Sequence, residues 1–156
     1  MTETQISHLD LAADMVRQTP QAAALGIRLV SAEPGFGVMA VAYRADLVGD
    51  PATGVLAGGV ITSLLDHVCG YAASSSQFAG PHPMTRHSVA TLDLRIDYLR
   101  PAEPGREVLA RAHCYHRTRS IAFVRAAAYE QDEANPIATA QGAFAITVHP
   151  TPEAPT

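Results

Sequence analysis

The hydrophobic period of the chain changes several times along its length, and each change marks an element. Ser7 to Gln18 places Leu9, Ala12, Ala13 and Val16 on one side, with Ser7 as a cap, and predicts a short amphipathic helix that Pro20 ends. Gly26 to Arg44 alternates instead: Val38, Ala40 and Ala42 face one way and Met39, Val41 and Tyr43 the other, with Glu33-Pro34-Gly35 dividing the stretch into a hairpin. Asp46 to Gly54 collects Asp, Gly and Pro, which is loop chemistry, and leads into the apolar stretch Val55 to Ser76. The Gly-Pro-His-Pro run between Phe78 and His87 breaks any helix. From Ser88 the period is two, with Ala90, Leu92, Leu94, Ile96 and Tyr98 on one face and Thr91, Asp93, Arg95 and Asp97 on the other. After the turn at Arg100-Pro-Ala-Glu-Pro-Gly, three further segments read as long strands: Glu107 to His116, Ser120 to Glu130 and Ile137 to Val148.

The order is therefore hairpin, one long helix and four strands, which defines an α+β domain. A helix of about 20 residues is long enough to cover one face of a six-stranded antiparallel sheet. The expected division is an N-terminal helical segment over 1–24, the domain over 25–149 and a Pro-rich, frayed tail over 150–156.

The helix from Ala57 to Ser76 carries the informative chemistry. At 100° per residue, Val60, Ile61, Leu64, Leu65, Val68, Tyr71 and Ala72 share one broad arc, the face a sheet would cover. The opposite arc holds Gly59, Thr62, Ser63, Asp66, Gly70 and Ala73, all small except one carboxylate. Two adjacent glycines, Gly58 and Gly59, open the helix, where unpaired N–H groups and the positive end of the dipole favour an oxyanion. Asp66 lies two turns deeper; an arginine such as Arg86 or Arg95 would pair with it, or it faces a close contact between subunits. A carboxylate on a close-packed interface between subunits, with backbone donors nearby, has the parts for acyl transfer: a base or nucleophile and an oxyanion site.

Composition narrows the classes. In 156 residues, 47% are hydrophobic and only 17% charged, so the chain builds a core and is expected to hide part of its exterior against copies of itself. A net charge of −4 gives no footprint for nucleic acid or an anionic membrane, and no apolar run approaches a membrane span. The start lacks a secretory pattern, which predicts a cytoplasmic protein. Cys69 and Cys114 have no CxxC spacing and are expected as buried free thiols. His82 with His87, and His113 with His116, raise a metal site, but on a strand the second pair points to opposite faces and the first has no acidic or thiol partner at ligand spacing, so no metal is expected. His67, beside Asp66, is weighed as a relay against a packed histidine. GxSxG, phosphate-loop and GxGxxG motifs are all missing.

The run Gly54-Val-Leu-Ala-Gly-Gly-Val-Ile-Thr-Ser-Leu-Leu-Asp66, followed by Gly70, resembles the PaaI-like branch of the hotdog-fold acyl-CoA thioesterases, as do Leu92 to Ala102 and Ala138 to Phe144. The resemblance covers about Leu25 to Val148. It implies a hotdog fold, with a long central helix wrapped by a six-stranded antiparallel sheet, edge-to-edge homodimers or a dimer of dimers, and sites at the subunit interface. By position it makes Asp66 the acid that activates water or attacks the thioester, and Gly58 the N–H that polarises its carbonyl. Gly59 would allow close approach. Thr85, His87 and Ser88 fall near the polar residues that the family draws from the partner subunit, and Arg117 and Arg119 at a turn that meets the phosphates of coenzyme A. Ala57 stands where the family usually has His, and Asp50 where it often has Asn; both border the oxyanion end of the site. The implied activity is hydrolysis of a medium-chain or aryl acyl-CoA, with coenzyme A part of the substrate and no cofactor. The alternatives are a non-catalytic acyl-CoA binding or sensing protein and a hotdog dehydratase.

Overall fold

The computed structural model describes residues 13–14, 16–79 and 87–149. The expected helix at Ser7 to Gln18 falls mostly outside them, although 13–14 and 16–18 are helical and Val16 is buried. Pro20 does not simply stop a helix: it opens another, α1 (Pro20–Leu25), because its fixed φ suits the first helical position, and Gly26 closes it in the left-handed region at φ 72°.

Two strands follow as the expected hairpin, β1 (Ile27–Glu33) and β2 (Phe36–Val41). The stretch read as loop between Asp46 and Gly54 is partly ordered. A 3₁₀ turn at Ala45–Leu47 leads into a small ladder of β3 (Val48–Asp50) and β4 (Val55–Leu56). This ladder presses on the start of the long helix α2 (Gly58–Ser75): the Ala57 N–H donates to the Leu47 carbonyl at 2.9 Å. A Cβ at Gly49 would lie 2.8 Å from the Ala57 Cα, so only glycine lets β3 come this near.

Four long strands complete the sheet: β5 (His87–Tyr98), β6 (Val108–Arg117), β7 (Ile121–Tyr129) and β8 (Ala138–Val148). The six-stranded antiparallel order is β1-β2-β6-β7-β8-β5, so β1 and β5 are the edges. Helix α2 lies across the inner face, where Leu64, Leu65, Val68 and Ala72 are fully buried against Met39, Val108, Val124 and Phe144. Ala73, placed by helical spacing on the outward arc, is also fully buried. The curved sheet reaches around more of the helix than a flat face would, and a methyl at the arc's border is cheap to enclose.

Bulges change which way side chains face. In β5 the register with β8 shifts between Thr91 and Asp93, so Leu92 is the extra residue and is 58% exposed, while Val89, Leu94 and Ile96 pack on the core. The uninterrupted inner face expected from Ala90 to Tyr98 is therefore broken. Gly142 makes room for this bulge, since a Cβ there would meet the Asp93 carbonyl at 2.5 Å. A second bulge between Cys114 and His116 puts His113 opposite Arg125 and His116 opposite Phe123, on one and the same outer face rather than on opposite ones. Each of these histidines is occupied by a ring: His113 stacks on Phe36 at 4.1 Å and His116 tilts against Phe123 at 5.8 Å.

Candidate active site

The site is built around the outward side of α2. No side chain caps the helix, whose first residues Gly58 and Gly59 are exposed, and Val60 already turns its N–H onto the Ala57 carbonyl at 3.0 Å. The N–H groups of Gly58 and Gly59 have no carbonyl within the helix to reach, so they are presented outward at the positive end of the dipole. The Gly58 carbonyl, by contrast, is heavily engaged. The Tyr98 hydroxyl donates to it at 2.7 Å, the Thr62 hydroxyl lies 3.0 Å from it, and the two hydroxyls are 2.7 Å apart.

Two turns further on, Asp66 is half-buried and its Oδ1 accepts a hydrogen bond from the Thr91 hydroxyl at 2.9 Å. Arg95, one of the cations that would have paired with it, holds Asp97 instead at 3.0 Å, and the other, Arg86, lies outside the described residues. Among the described residues Asp66 has no ion pair, so one carboxylate oxygen and the remaining lone pairs are uncommitted. His67 turns its Nδ1 to the Ser63 carbonyl at 2.7 Å, which makes Nδ1 the protonated nitrogen and occupies the ring locally. Cys69, one turn beyond, is fully buried; burial, then the neighbouring Asp66 charge, pushes its thiol up to about 12, so it is no nucleophile at neutral pH.

Beside the helix start lies an apolar cleft of about 320 Å³, walled by Val55, Ile61, Leu99, Pro101 and Ile137, with Gly58 and Tyr98 at its rim. Its far wall is fixed by a buried ion pair. Arg100 forks onto Glu130 at 3.1 and 2.5 Å and onto the Asn135 carbonyl at 2.7 Å, while the Glu103 N–H donates to Glu130 at 2.9 Å. Burial pushes the Glu130 carboxyl up, but the hydrogen bonds from Arg100 and Glu103 and the Arg100 charge outweigh it and hold the group below the ordinary carboxylate range.

The other expected site residues are dispersed. Asp50 is turned into its own loop, accepting from the Ala52 N–H and the Thr53 hydroxyl, both at 3.0 Å. Ser88 meets His149 at 2.9 Å near the start of β5, which His87 opens opposite Val148, and Thr85 lies outside the described residues, as does His82. Arg117 donates to the Ser76 carbonyl at 3.3 Å, at the far end of α2 and about 15 Å of helix rise from Asp66; Arg119 is exposed in the adjoining turn. The residues that sequence reasoning missed are Thr91, Thr62 and Tyr98. Regular alternation assigns Tyr98 to the core and Thr91 to the far face. The one available signal is the tyrosine itself, whose hydroxyl requires a partner at a strand end.

A long helix enclosed by a curved antiparallel sheet, with a carboxylate and free amides on its open side, is a hotdog fold carrying the parts of an acyl-transfer site. Residues 53–137 match the family model described as "Thioesterase superfamily". A relative named medium/long-chain acyl-CoA thioesterase YigI, from Salmonella typhimurium, is 30% identical over 123 residues, covering 70% of this chain and 75% of that protein. A crystal structure of a Pseudomonas aeruginosa protein superposes with a TM-score of 0.74 at 35% identity, covering 88% of this chain and 97% of the other. A mutant of the phenylacetic acid degradation protein PaaI from Thermus thermophilus does so with a TM-score of 0.65 at 29% identity, covering 81% and 97%. The chain belongs to the thioesterase superfamily and is a thioester hydrolase.

Proposed function

We propose that this protein hydrolyses the thioester of a medium-chain or aryl acyl-CoA, releasing the free acid and coenzyme A. The observation that carries this reading is the state of Asp66: a half-buried carboxylate held by one neutral donor, Thr91, with no cation among the described residues, on the helix whose uncapped start presents the amides of Gly58 and Gly59. In this reading Asp66 takes a proton from water as the water oxygen bonds to the thioester carbon, or attacks that carbon itself. The carbonyl oxygen becomes an oxyanion facing the partner subunit's Gly58 N–H, because Gly58 of the same helix lies about 12 Å of rise from Asp66. The carbon–sulfur bond breaks and the thiolate leaves with the proton that Asp66 took from water. After direct attack, the thiolate instead takes its proton from solvent, and water then hydrolyses the Asp66 acyl anhydride to release the acid. A well-placed amide donor of this kind is worth about 10²–10³ in rate. The name of the YigI relative speaks for an alkyl chain and that of PaaI for an aryl group, and the apolar cleft beside Gly58 has room for either tail.

The same reading makes the protein a homodimer or a dimer of dimers. Strand β5 is a 12-residue sheet edge, and Leu92, Tyr98 and Leu99 expose half or more of their surface along it and just past its end, which is what an edge awaiting a partner strand looks like. Across that seam Arg117 and Arg119 are proposed to meet the phosphates of coenzyme A, and His87, Ser88 and Thr85 to line the neighbouring subunit's site.

The test is thiol release from a panel of alkanoyl, benzoyl and phenylacetyl esters of coenzyme A, with wild type and Asp66→Ala side by side. Turnover that falls at least about a hundredfold in Asp66→Ala supports the assignment. No turnover with micromolar binding identifies the non-catalytic alternative, in which Ala57 and an Asp50 committed to its own loop have removed the chemistry.

A further inference from the structure

The geometry points to Tyr98, acting with Thr62, as a positioning residue for the turn that carries the oxyanion donor: the two hydroxyls fix that turn through the Gly58 carbonyl, which holds the Gly58 N–H in place, and polarise the adjoining Gly59 N–H. This rests on the thioesterase reading for its consequence in rate, though not for the contact itself. Tyr98 sits at the end of β5, and its hydroxyl crosses to the first turn of α2, a contact 40 residues apart in the chain. Two hydroxyl protons serve three oxygen–oxygen contacts, so in either cooperative arrangement one proton falls on the Gly58 carbonyl and the other joins the hydroxyls.

The carbonyl of Gly58 and the N–H of Gly59 belong to one planar peptide unit. Withdrawing electron density at that oxygen makes the N–H at the other end a better donor, and chains of hydrogen bonds strengthen one another by about 10–30% per bond. The same contact is a mechanical restraint. Two consecutive glycines leave this turn the freest in the helix, and nothing lies within 4 Å of where a Gly59 Cβ would be, so the hydroxyl pair supplies the rigidity that side chains would otherwise supply. Tyr98 is only half-buried and contributes little to the core, so its hydroxyl is placed here for the peptide rather than for packing.

The experiment compares Tyr98→Phe, Thr62→Ser and the double variant Tyr98→Phe/Thr62→Val in the full chain, with kcat and KM measured on the best acyl-CoA and the Gly59 amide followed by ¹H–¹⁵N NMR. Phenylalanine keeps the ring and its ring current, so any shift reports the lost hydroxyl. The expected result is a kcat about fivefold lower in Tyr98→Phe and about tenfold to fiftyfold lower in the double variant, part of the effect of a full donor, at unchanged KM. Thr62→Ser retains wild-type kcat. The Gly59 amide proton moves upfield in the double variant while that of Gly70, three turns away, stays in place. An unmoved Gly59 resonance, or a loss confined to KM, overturns the proposal. If wild type releases no thiol, the thioesterase reading fails and the Gly59 shift alone decides this one. If the double variant does not fold, Tyr98→Phe, which removes one exposed oxygen, carries the same test.

Discussion

Two polar clusters, one along the outward side of α2 and one behind the apolar cleft, differ in how completely they are satisfied. On the side of α2, Asp66 has one neutral donor among the described residues and no side chain caps the glycine amides. On the other side, the Glu130 side chain is 5% exposed and receives both prongs of Arg100 and the Glu103 amide. A buried carboxylate with full partners locks the loops after β5 and β7 together and has nothing left to offer a ligand. A half-buried carboxylate with spare lone pairs costs stability and is retained where chemistry uses it. The contrast separates structure from function between two carboxylates of one fold, and it can be attacked from both sides.

The largest expected effect comes from removing the proposed amide donor, the Gly58 N–H, while leaving the fold alone. Gly58→Pro does this, because proline suits the first position of a helix and Ala57 already has the extended conformation (φ −60°, ψ 138°) that a following proline demands. Thiol release falls about 10²–10³-fold, while the thermal midpoint, read by circular dichroism, does not drop. A variant that melts early but turns over normally when folded would place the catalytic donor elsewhere.

Next comes the satisfied cluster, where the expected signature is reversed. Glu130→Gln lowers stability by about 2–3 kcal/mol in denaturant titrations at neutral pH by leaving Arg100 in a half-buried site without its counter-charge, with KM and kcat little changed in the folded fraction. The sign in pH is set by the depressed native carboxyl. Its stabilisation is present above the unfolded glutamate value near 4.3 and is lost as pH falls through the lower native value. Wild type therefore loses stability with acid more steeply than Glu130→Gln. Parallel profiles would show that the pair contributes no pH-dependent stability.

Most of the frame is legible in the chain itself. The long helix, the four late strands and the glycine start come from period and punctuation, which a single sequence carries directly. What it does not mark is an inserted residue. The bulges at Leu92 and Tyr115 each reverse the parity of every later position in their strands, so regular alternation turns Thr91 away from Asp66 and sends His116 to the face opposite His113. The small β3–β4 ladder escapes for another reason: strands of three and two residues, held by Gly49 against Ala57, show no alternation to detect. Thr91 is the part of the site that this parity error hides, and its expected effect is intermediate. Thr91→Ala frees Asp66 to rotate and lowers kcat about tenfold, the scale of one hydrogen bond to a charged group. Thr91→Ser, which keeps the hydroxyl, restores it.

The smallest effect sharpens the comparison most, because it holds residue type and location nearly constant. Glu133 lies three residues beyond Glu130 and also pairs with an arginine, Arg111, at 3.1 Å, but both side chains are almost half exposed. In water the attraction between two such charges is screened, and ordering two long side chains offsets most of what remains. Glu133→Gln is therefore expected to change stability by less than about 0.5 kcal/mol, with the small difference vanishing in high salt. If Glu133→Gln cost as much as Glu130→Gln, completeness of burial and partnering would not be what distinguishes the carboxylates here. The inference from the under-satisfied Asp66 to chemistry would then lose its physical basis.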